Sequence, residues 1–291
     1  MSVKPILVIG ATGKTGRRVV ERLVSRGAPV RAGSRTAAPP FDWEHPATWP
    51  AALRGVDAVY ISYFPDVAAP GAPDAIRTLT ELAVASGVRR AVLLSGRGEP
   101  EARRCEQIVR DSGLEWTVVR ASWFAQNFSE SFLLDAVLAG EVALPAGAVG
   151  EPFVDADDIA DVVVAALTDS CHAGQLYEVT GPRLWTFAEA VEAIGGATGR
   201  SLRYVRVTPD AYAASLRDAQ VPEDLVALLG YLFTEVLDGR NASVADGVTR
   251  ALGRAPRDFA DFVRRAAAAG VWNPRALEGT SGAGLTGELR I

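Results

Sequence analysis

Short apolar runs alternate along this chain with stretches that repeat hydrophobic residues at helical spacing. Pro5-Ile6-Leu7-Val8-Ile9 stops at Gly10 and is rich in β-branched residues, with no polar alternation. That is the pattern of a strand buried on both faces. After a glycine-rich turn, Val19, Val20, Leu23 and Val24 recur at helical spacing until Gly27. Pro29–Ser34, Val56–Ser62, Arg89–Ser95 and Glu115–Arg120 read as further strands, and helical stretches separate them. Such alternation predicts an α/β fold: a Rossmann-type, doubly wound parallel sheet with helices on both faces.

Beyond residue 120 the pattern loosens. Phe153-Val154-Asp155-Ala156-Asp157-Asp158 opens an apolar helix running through Leu167, its acidic first turn suited to the helix dipole. Gln175–Thr180 returns one more strand. Thr186-Phe187-Ala188-Glu189 has capping-box spacing, and Thr208-Pro209 opens another helix with proline at its first position. The expected division is a dinucleotide-binding domain over 1–122 and 153–182, and a smaller, mainly helical substrate lobe over 123–152 and 183–277. Residues 278–291 hold four glycines and no periodicity, and read as a flexible tail.

The 291 residues are 48% hydrophobic and 22% charged, a balance that excludes disorder and leaves ample material for a core. No run of eighteen uninterrupted apolar residues occurs, and no apolar leader precedes the first strand, so a cytoplasmic protein without a membrane span is expected. Two cysteines, Cys105 and Cys171, cannot build a disulfide framework, and two histidines cannot build a His-rich metal site. A net charge of −5 argues against nucleic acid as a partner and leaves a small molecule. Whether the protein is a monomer or a homodimer is not legible. Among the 30 Lys and Arg residues, only Lys4 and Lys14 are lysines.

Candidate chemistry begins at Gly10-Ala11-Thr12-Gly13-Lys14-Thr15-Gly16, where the first strand meets the first helix. Glycines let backbone N–H groups approach a pyrophosphate whose charge the helix N-terminus attracts. Gly10, Thr12, Gly13, Lys14, Thr15 and Gly16 are therefore candidate cofactor ligands. The G-x-x-G-x-x-G spacing points to short-chain-dehydrogenase relatives. An NAD site usually carries an acid at the end of the second strand, but here that position reads Gly33-Ser34-Arg35. Arg35 can fork onto a 2′-phosphate and Ser34 can add a hydroxyl, so NADP(H) is the expected cofactor.

Together with Asp42-Trp43, Trp116-Thr117-Val118-Val119-Arg120, Trp123-Phe124-Ala125-Gln126-Asn127-Phe128 and Asp157-Asp158-Ile159-Ala160, these residues resemble the NmrA-like atypical short-chain dehydrogenases. Phe41-Asp42-Trp43 and Tyr60-Ile61-Ser62-Tyr63-Phe64-Pro65-Asp66 are most similar to the ergot-alkaloid branch, the festuclavine and agroclavine dehydrogenases, which reduce a cyclic iminium with NADPH. The resemblance implies that Asp42 approaches the adenine. It also implies that Ser62–Pro65 and Ala121–Trp123, Ser122 among them, flank the nicotinamide. Ala121 stands where the family usually has proline.

Most short-chain dehydrogenases protonate a substrate oxygen through a Tyr-x-x-x-Lys pair. Neither Lys4 nor Lys14 has a tyrosine four residues before it, so that pair is absent, and arginine cannot replace it because its pKa stays above about 12. Either no redox chemistry occurs, or the electrophile needs no acid. A cationic iminium fits the second case, and quinones and activated enones need less help than ketones. Ser95 at a strand end is a candidate for binding the nicotinamide ribose or the substrate, and Glu106 a candidate anion for a cationic substrate. Both also have bland readings, as a turn serine and a solvated helix residue. Tyr60, Tyr63, Phe64, Trp123, Phe124 and Phe128 cluster at two strand-end loops as candidate pocket walls, with Asn127 to orient the ligand; about three of the six are expected to face the cavity and the rest to lie in the core.

The leading reading is an NADPH-dependent reductase of an aromatic or heterocyclic small molecule, acting at C=N⁺ or at a quinone or enone. A non-catalytic NADP(H)-binding redox sensor and a non-redox cyclase or dehydratase on the same fold remain as alternatives.

Overall fold

The computed structural model describes residues 4–273. The expected tail, Glu278–Ile291, lies outside them. In chain order the first half runs β1 (Ile6–Ile9), α1 (Lys14–Ser25), β2 (Val30–Gly33), α2 (Trp49–Leu53), β3 (Ala58–Ile61), α3 (Ala72–Ala85), β4 (Arg90–Gly96), α4 (Pro100–Asp111) and β5 (Glu115–Ala121). Next come α5 (Asn127–Glu130), α6 (Leu134–Ala139), β6 (Glu141–Leu144), α7 (Ala156–Thr168) and β7 (Gln175–Val179). The rest is α8 (Phe187–Thr198), β8 (Arg203–Arg206), α9 (Pro209–Asp218), α10 (Glu223–Tyr231), α11 (Gly247–Leu252) and α12 (Phe259–Ala268). No helix among the described residues is long and apolar enough to cross a membrane.

Two compact units emerge. The first comprises the chain up to Ala121 with Ala156–Val179 and Ala245–Ala255. Its six strands are all parallel, in the order β2-β1-β3-β4-β5-β7. The run Ile6–Ile9 is buried throughout because helices cover both faces, which explains its unbroken apolar character. Leu7, Ile9, Val59, Ile61 and Leu93 share one core with Trp49, Ile76, Leu79 and Cys105 from the helices on that face. The order of strands along the sheet reverses between β1 and β3, since β2 is added on one side of β1 and the later strands on the other, so the loops after β1 and β3 diverge at their carboxyl ends.

The second unit comprises Ser122–Asp155, Thr180–Val244 and the described residues from Pro256 on. Phe128, Phe153, Phe187, Phe233 and Phe259 form its core with Trp272, whose Nε1 donates to the Phe128 carbonyl at 2.8 Å. The capping box at α8 forms as the spacing predicts: Thr186 accepts from the Glu189 N–H while the Glu189 carboxylate takes the Thr186 N–H. The unit is not purely helical, since β6 and β8 pair in parallel. Four-residue strands carrying Glu141 and Arg203, an ion pair across the ladder, have too little apolar periodicity to announce themselves.

The expected lobe, 183–277, needs one correction. Residues 245–255 belong with the first unit, where α11 lies on the edge strand β7. A Cβ at Gly247 would stand 2.1 Å from the Glu178 carbonyl oxygen, so only glycine allows this approach. Arg250 sits over the Tyr177 ring at 5.3 Å, and Arg254 pairs with Asp158 and Asp161. The helix covers a strand edge that would otherwise be open to pairing.

Candidate active site

The glycine-rich turn is built for close approach. Gly10 takes φ +72°, a left-handed conformation that a side chain disfavours, and its N–H and that of Ala11 both donate to the Gly33 carbonyl. A Cβ at Gly16 would lie 2.0 Å from the Gly10 oxygen, so glycine there is what lets α1 start against β1. Gly13 is the N-cap of α1 and, being glycine, brings no side chain to cap that first turn. An uncapped helix start beside left-handed glycine is the arrangement that receives a phosphate, and Thr12, Lys14 and Thr15 stand around it. Lys14 and Thr15 are buried, and Thr15 Oγ1 accepts from the Tyr60 hydroxyl at 2.9 Å, which ties α1 to β3. Tyr60 is therefore a core residue whose phenol burial keeps protonated.

At the end of β2, Ser34 is half-buried and Arg35 exposed. Asp42 accepts from the Glu44 N–H at 3.0 Å and lies 2.8 Å from His45 Nδ1. Burial works against its charge, but His45, the Glu44 amide and the nearby Arg35 together hold its carboxyl below the ordinary value. Arg35 and Asp42 thus share one edge of the sheet. Ser62, at the end of β3, lies against Gly10 across the β1–β3 crevice. Its carbonyl accepts from Trp43 Nε1 at 3.1 Å, and the Trp43 ring contacts Tyr63 at 4.8 Å. Tyr63 is half-buried, whereas Phe64 is exposed at 40%. This face of the sheet accordingly brings the turn, Ser34, Arg35, Asp42, Ser62 and Tyr63 to the strands' carboxyl ends.

The next two strands end in a charged network. Ser95 donates to Glu106 Oε1 at 2.6 Å, and Arg120 grips the same carboxylate from β5 with Nε at 2.8 Å and Nη2 at 2.5 Å. Arg120 also reaches Glu178 at 3.3 Å, which Arg97 meets at 2.8 Å. Two expectations change here. Glu106 is buried and already neutralised by Arg120, so it is no spare anion for a cationic substrate. Ser95 spends its hydroxyl hydrogen on Glu106, which leaves only its lone pairs for a ligand.

A residue that the sequence reading passed over sits beside them. Glu99 is 6% exposed, and its Oε2 has no hydrogen-bond partner among the described residues. A Cβ at Gly96, the last residue of β4, would fall 2.4 to 2.6 Å from the Glu99 carboxyl atoms, so that carboxyl is folded back over the strand end. Burial, then the charges of Asp66 and Glu106, push it well above the carboxylate range. Asp66, on the loop after β3, is raised too, chiefly by burial, against the pull of the Ala68 N–H and Lys14. The Cys105 thiol on α4 is pushed up to about 12 by burial and by Glu101, Glu106 and Asp66. The only sequence signal for Glu99 was Gly96-Arg97-Gly98, small and turn-forming, just ahead of a glutamate-proline helix start.

In the second unit, Ser122 is buried and donates to Glu151, whose carboxylate also faces the Trp123 N–H at 3.4 Å. Trp123 is half-buried and packs on Phe187 and Phe233, and Phe124 is half-buried beside a bridge to Val154. Asn127 is buried at the start of α5. Phe128 is a correction: it has no exposed surface and contacts Phe153, Phe187 and Phe259, so it is core rather than pocket wall. Seen along the sequence, a core aromatic and a pocket aromatic are the same residue type.

An NAD(P)H-binding family matches residues 10–170, and the NmrA-like family matches residues 102–261. The chain is an NmrA-like protein. An NAD(P)H azoreductase of Xenophilus azovorans is 34% identical to it over 91% of this chain and 98% of that one. An agroclavine dehydrogenase of Claviceps fusiformis is 30% identical over 89% and 96%. An NADPH-dependent quinone oxidoreductase from Escherichia coli, solved with NADPH, has the same fold: TM-score 0.74 at 20% identity, over 89% of this chain and 99% of that one. This NmrA-like protein is an NAD(P)H-dependent oxidoreductase. The glycine cradle fits that cofactor, since the left-handed turn at Gly10 and the close seat of Gly16 on the Gly10 oxygen set the glycine-capped start of α1 directly against the end of β1, where a pyrophosphate is received.

Proposed function

We propose that the protein uses NADPH to reduce a conjugated, electron-poor aromatic or heterocyclic acceptor: an iminium, a quinone or enone, or an azo compound. The observation that carries this reading is the empty place of the usual acid. With only Lys4 and Lys14 in the chain, no Tyr-x-x-x-Lys pair exists, and the one hydroxyl at the β4 end, on Ser95, donates into a carboxylate. A simple ketone would leave a strongly basic alkoxide with no Tyr–Lys pair to protonate it. An iminium becomes a neutral amine on accepting hydride, and a reduced quinone is a stabilised anion. The azoreductase relative is named for one acceptor of this kind.

When bound, the cofactor supplies hydride; the chain's part is to hold and aim it. Gly10, Gly13 and Gly16 open the turn to the pyrophosphate, and Arg35 with Ser34 would take a 2′-phosphate, which favours NADPH over NADH. Ser62 and the Ser95–Glu106–Arg120 network fix the strand ends beside which a bound nicotinamide would be held. Tyr63 and Phe64 offer flat apolar surface to a planar acceptor.

The test is NADPH consumption with a panel holding a cyclic iminium, a quinone, an azo dye and a simple ketone. Turnover of one or more of the first three, at least roughly a hundredfold above the ketone, is expected for a site without the usual acid. Preference for the ketone would overturn the reading.

A further inference from the structure

On the reading that this site reduces conjugated acceptors without the usual Tyr–Lys pair, we propose that Glu99 is the proton donor for the quinone and azo members of that class. Three observations place it there. Its carboxyl is folded over the backbone of Gly96, at the carboxyl end of β4, where ligand-facing groups collect in this kind of sheet. It is more than nine-tenths buried, and Oε2 meets no donor or acceptor among the described residues. It also stands at the N-cap of α4 without capping it, so the carboxyl is not used for helix geometry.

Its surroundings set its charge state. Asp66 faces it from the β3 loop and Glu106 from α4, while the cations nearby are committed elsewhere: Arg120 to Glu106 and Glu178, and Lys14 pulling on Asp66. Ionising Glu99 would put another negative charge beside these carboxyls in a buried place, and burial with their repulsion raises its pKa well above the carboxylate range, which favours the protonated form. A protonated Oε2 is a hydrogen-bond donor with no acceptor, which a ligand's oxygen or nitrogen would satisfy.

The step balances with NADPH as the reductant. As hydride arrives at the acceptor, the C=O or N=N π pair moves to the far oxygen or nitrogen. That atom forms a bond to the Glu99 proton, the O–H pair stays on Glu99 as carboxylate, and water returns the proton afterwards. An iminium needs none of this. The inference therefore separates acceptors: Glu99 matters for quinones and azo compounds, not for C=N⁺.

Glu99→Gln and Glu99→Asp test it. In the protein without substrate, an infrared carbonyl band of a protonated carboxylic acid should be present at pH 7 and missing in E99Q. With a quinone or azo acceptor, E99Q should lose about a hundredfold or more in kcat. Wild-type kcat should fall with rising pH as Glu99 ionises, a limb absent in E99Q, and Asp66→Asn should move that limb to lower pH by removing a neighbouring negative charge. E99D, whose carboxyl is withdrawn by one methylene, should keep the band and NADPH binding but lose much of kcat, which covers the case of an unfolded E99Q. No acid band in the wild type, or equal quinone rates in wild type and E99Q, would overturn the proposal. Failure of the wild type to reduce any acceptor would instead overturn the reductase reading, while the infrared band still reports on Glu99.

Discussion

The buried ion pair between Glu106 and Arg120 makes an asymmetric prediction about stability. Arg120→Met removes both nitrogens from a carboxylate whose side chain is only 3% exposed, leaving it the Ser95 hydroxyl alone. Breaking a buried pair from one side costs about 3–5 kcal/mol, because an uncompensated charge stays in the interior. Glu106→Gln leaves a different orphan. Arg120 is 18% exposed and keeps Glu178 at 3.3 Å, so the loss should be nearer 1–2 kcal/mol, on the order of an ordinary hydrogen bond to a charged group. Replacing both residues by methionine removes both charges and should be more stable than R120M alone. Urea denaturation followed by tryptophan fluorescence reads this as a shift in midpoint at constant slope. Equal losses for R120M and E106Q, or a loss below about 1 kcal/mol for R120M, would show that the network is solvated and that Glu106 is not the buried anion described here.

Three further outcomes are expected. Arg35→Ala should weaken NADPH binding by about ten- to a hundredfold, the value of a charged hydrogen-bond pair, and leave NADH binding unchanged; equal losses for the two dinucleotides, measured by nicotinamide fluorescence, would remove the 2′-phosphate role. Gly16→Ala forces a methyl to within 2.0 Å of the Gly10 oxygen, so α1 must shift from the turn, and calorimetry should show cofactor affinity down by roughly tenfold or more. Cys105 ionises near 12 in the folded chain and near ~8.5 unfolded, so between these values the unfolded state sheds a proton the native state keeps. Stability should therefore fall by up to ~1.4 kcal/mol per pH unit above ~8.5 from this group, and Cys105→Ala should flatten that slope. An unchanged slope in the variant would place the thiol in contact with water.

Local pattern carried much of the architecture. The unbroken apolar runs at Ile6–Ile9 and Ala58–Ile61 announce strands covered on both faces, and helical spacing at Val19 and Leu23 marks the helix that leads from the first of them to β2. The phosphate turn was legible because its glycines are demanded by backbone geometry that no tertiary contact can waive. The absence of a Tyr–Lys pair is likewise a property of composition alone. Folding decided the rest. Phe128 and Phe64 look alike along the chain, yet one is fully buried and the other exposed, because burial depends on which distant segment arrives. Ala245–Ala255 reads as more of the helical lobe until Gly247 lets it settle on β7. Glu106 and Glu99 differ in their surroundings for the same reason. Arg120 reaches the first from another strand and neutralises it, while Asp66 crowds the second from a third loop. A carboxyl's charge is set by its solvent and its neighbours within a few ångströms, and in a parallel sheet those neighbours come from strands far apart in sequence.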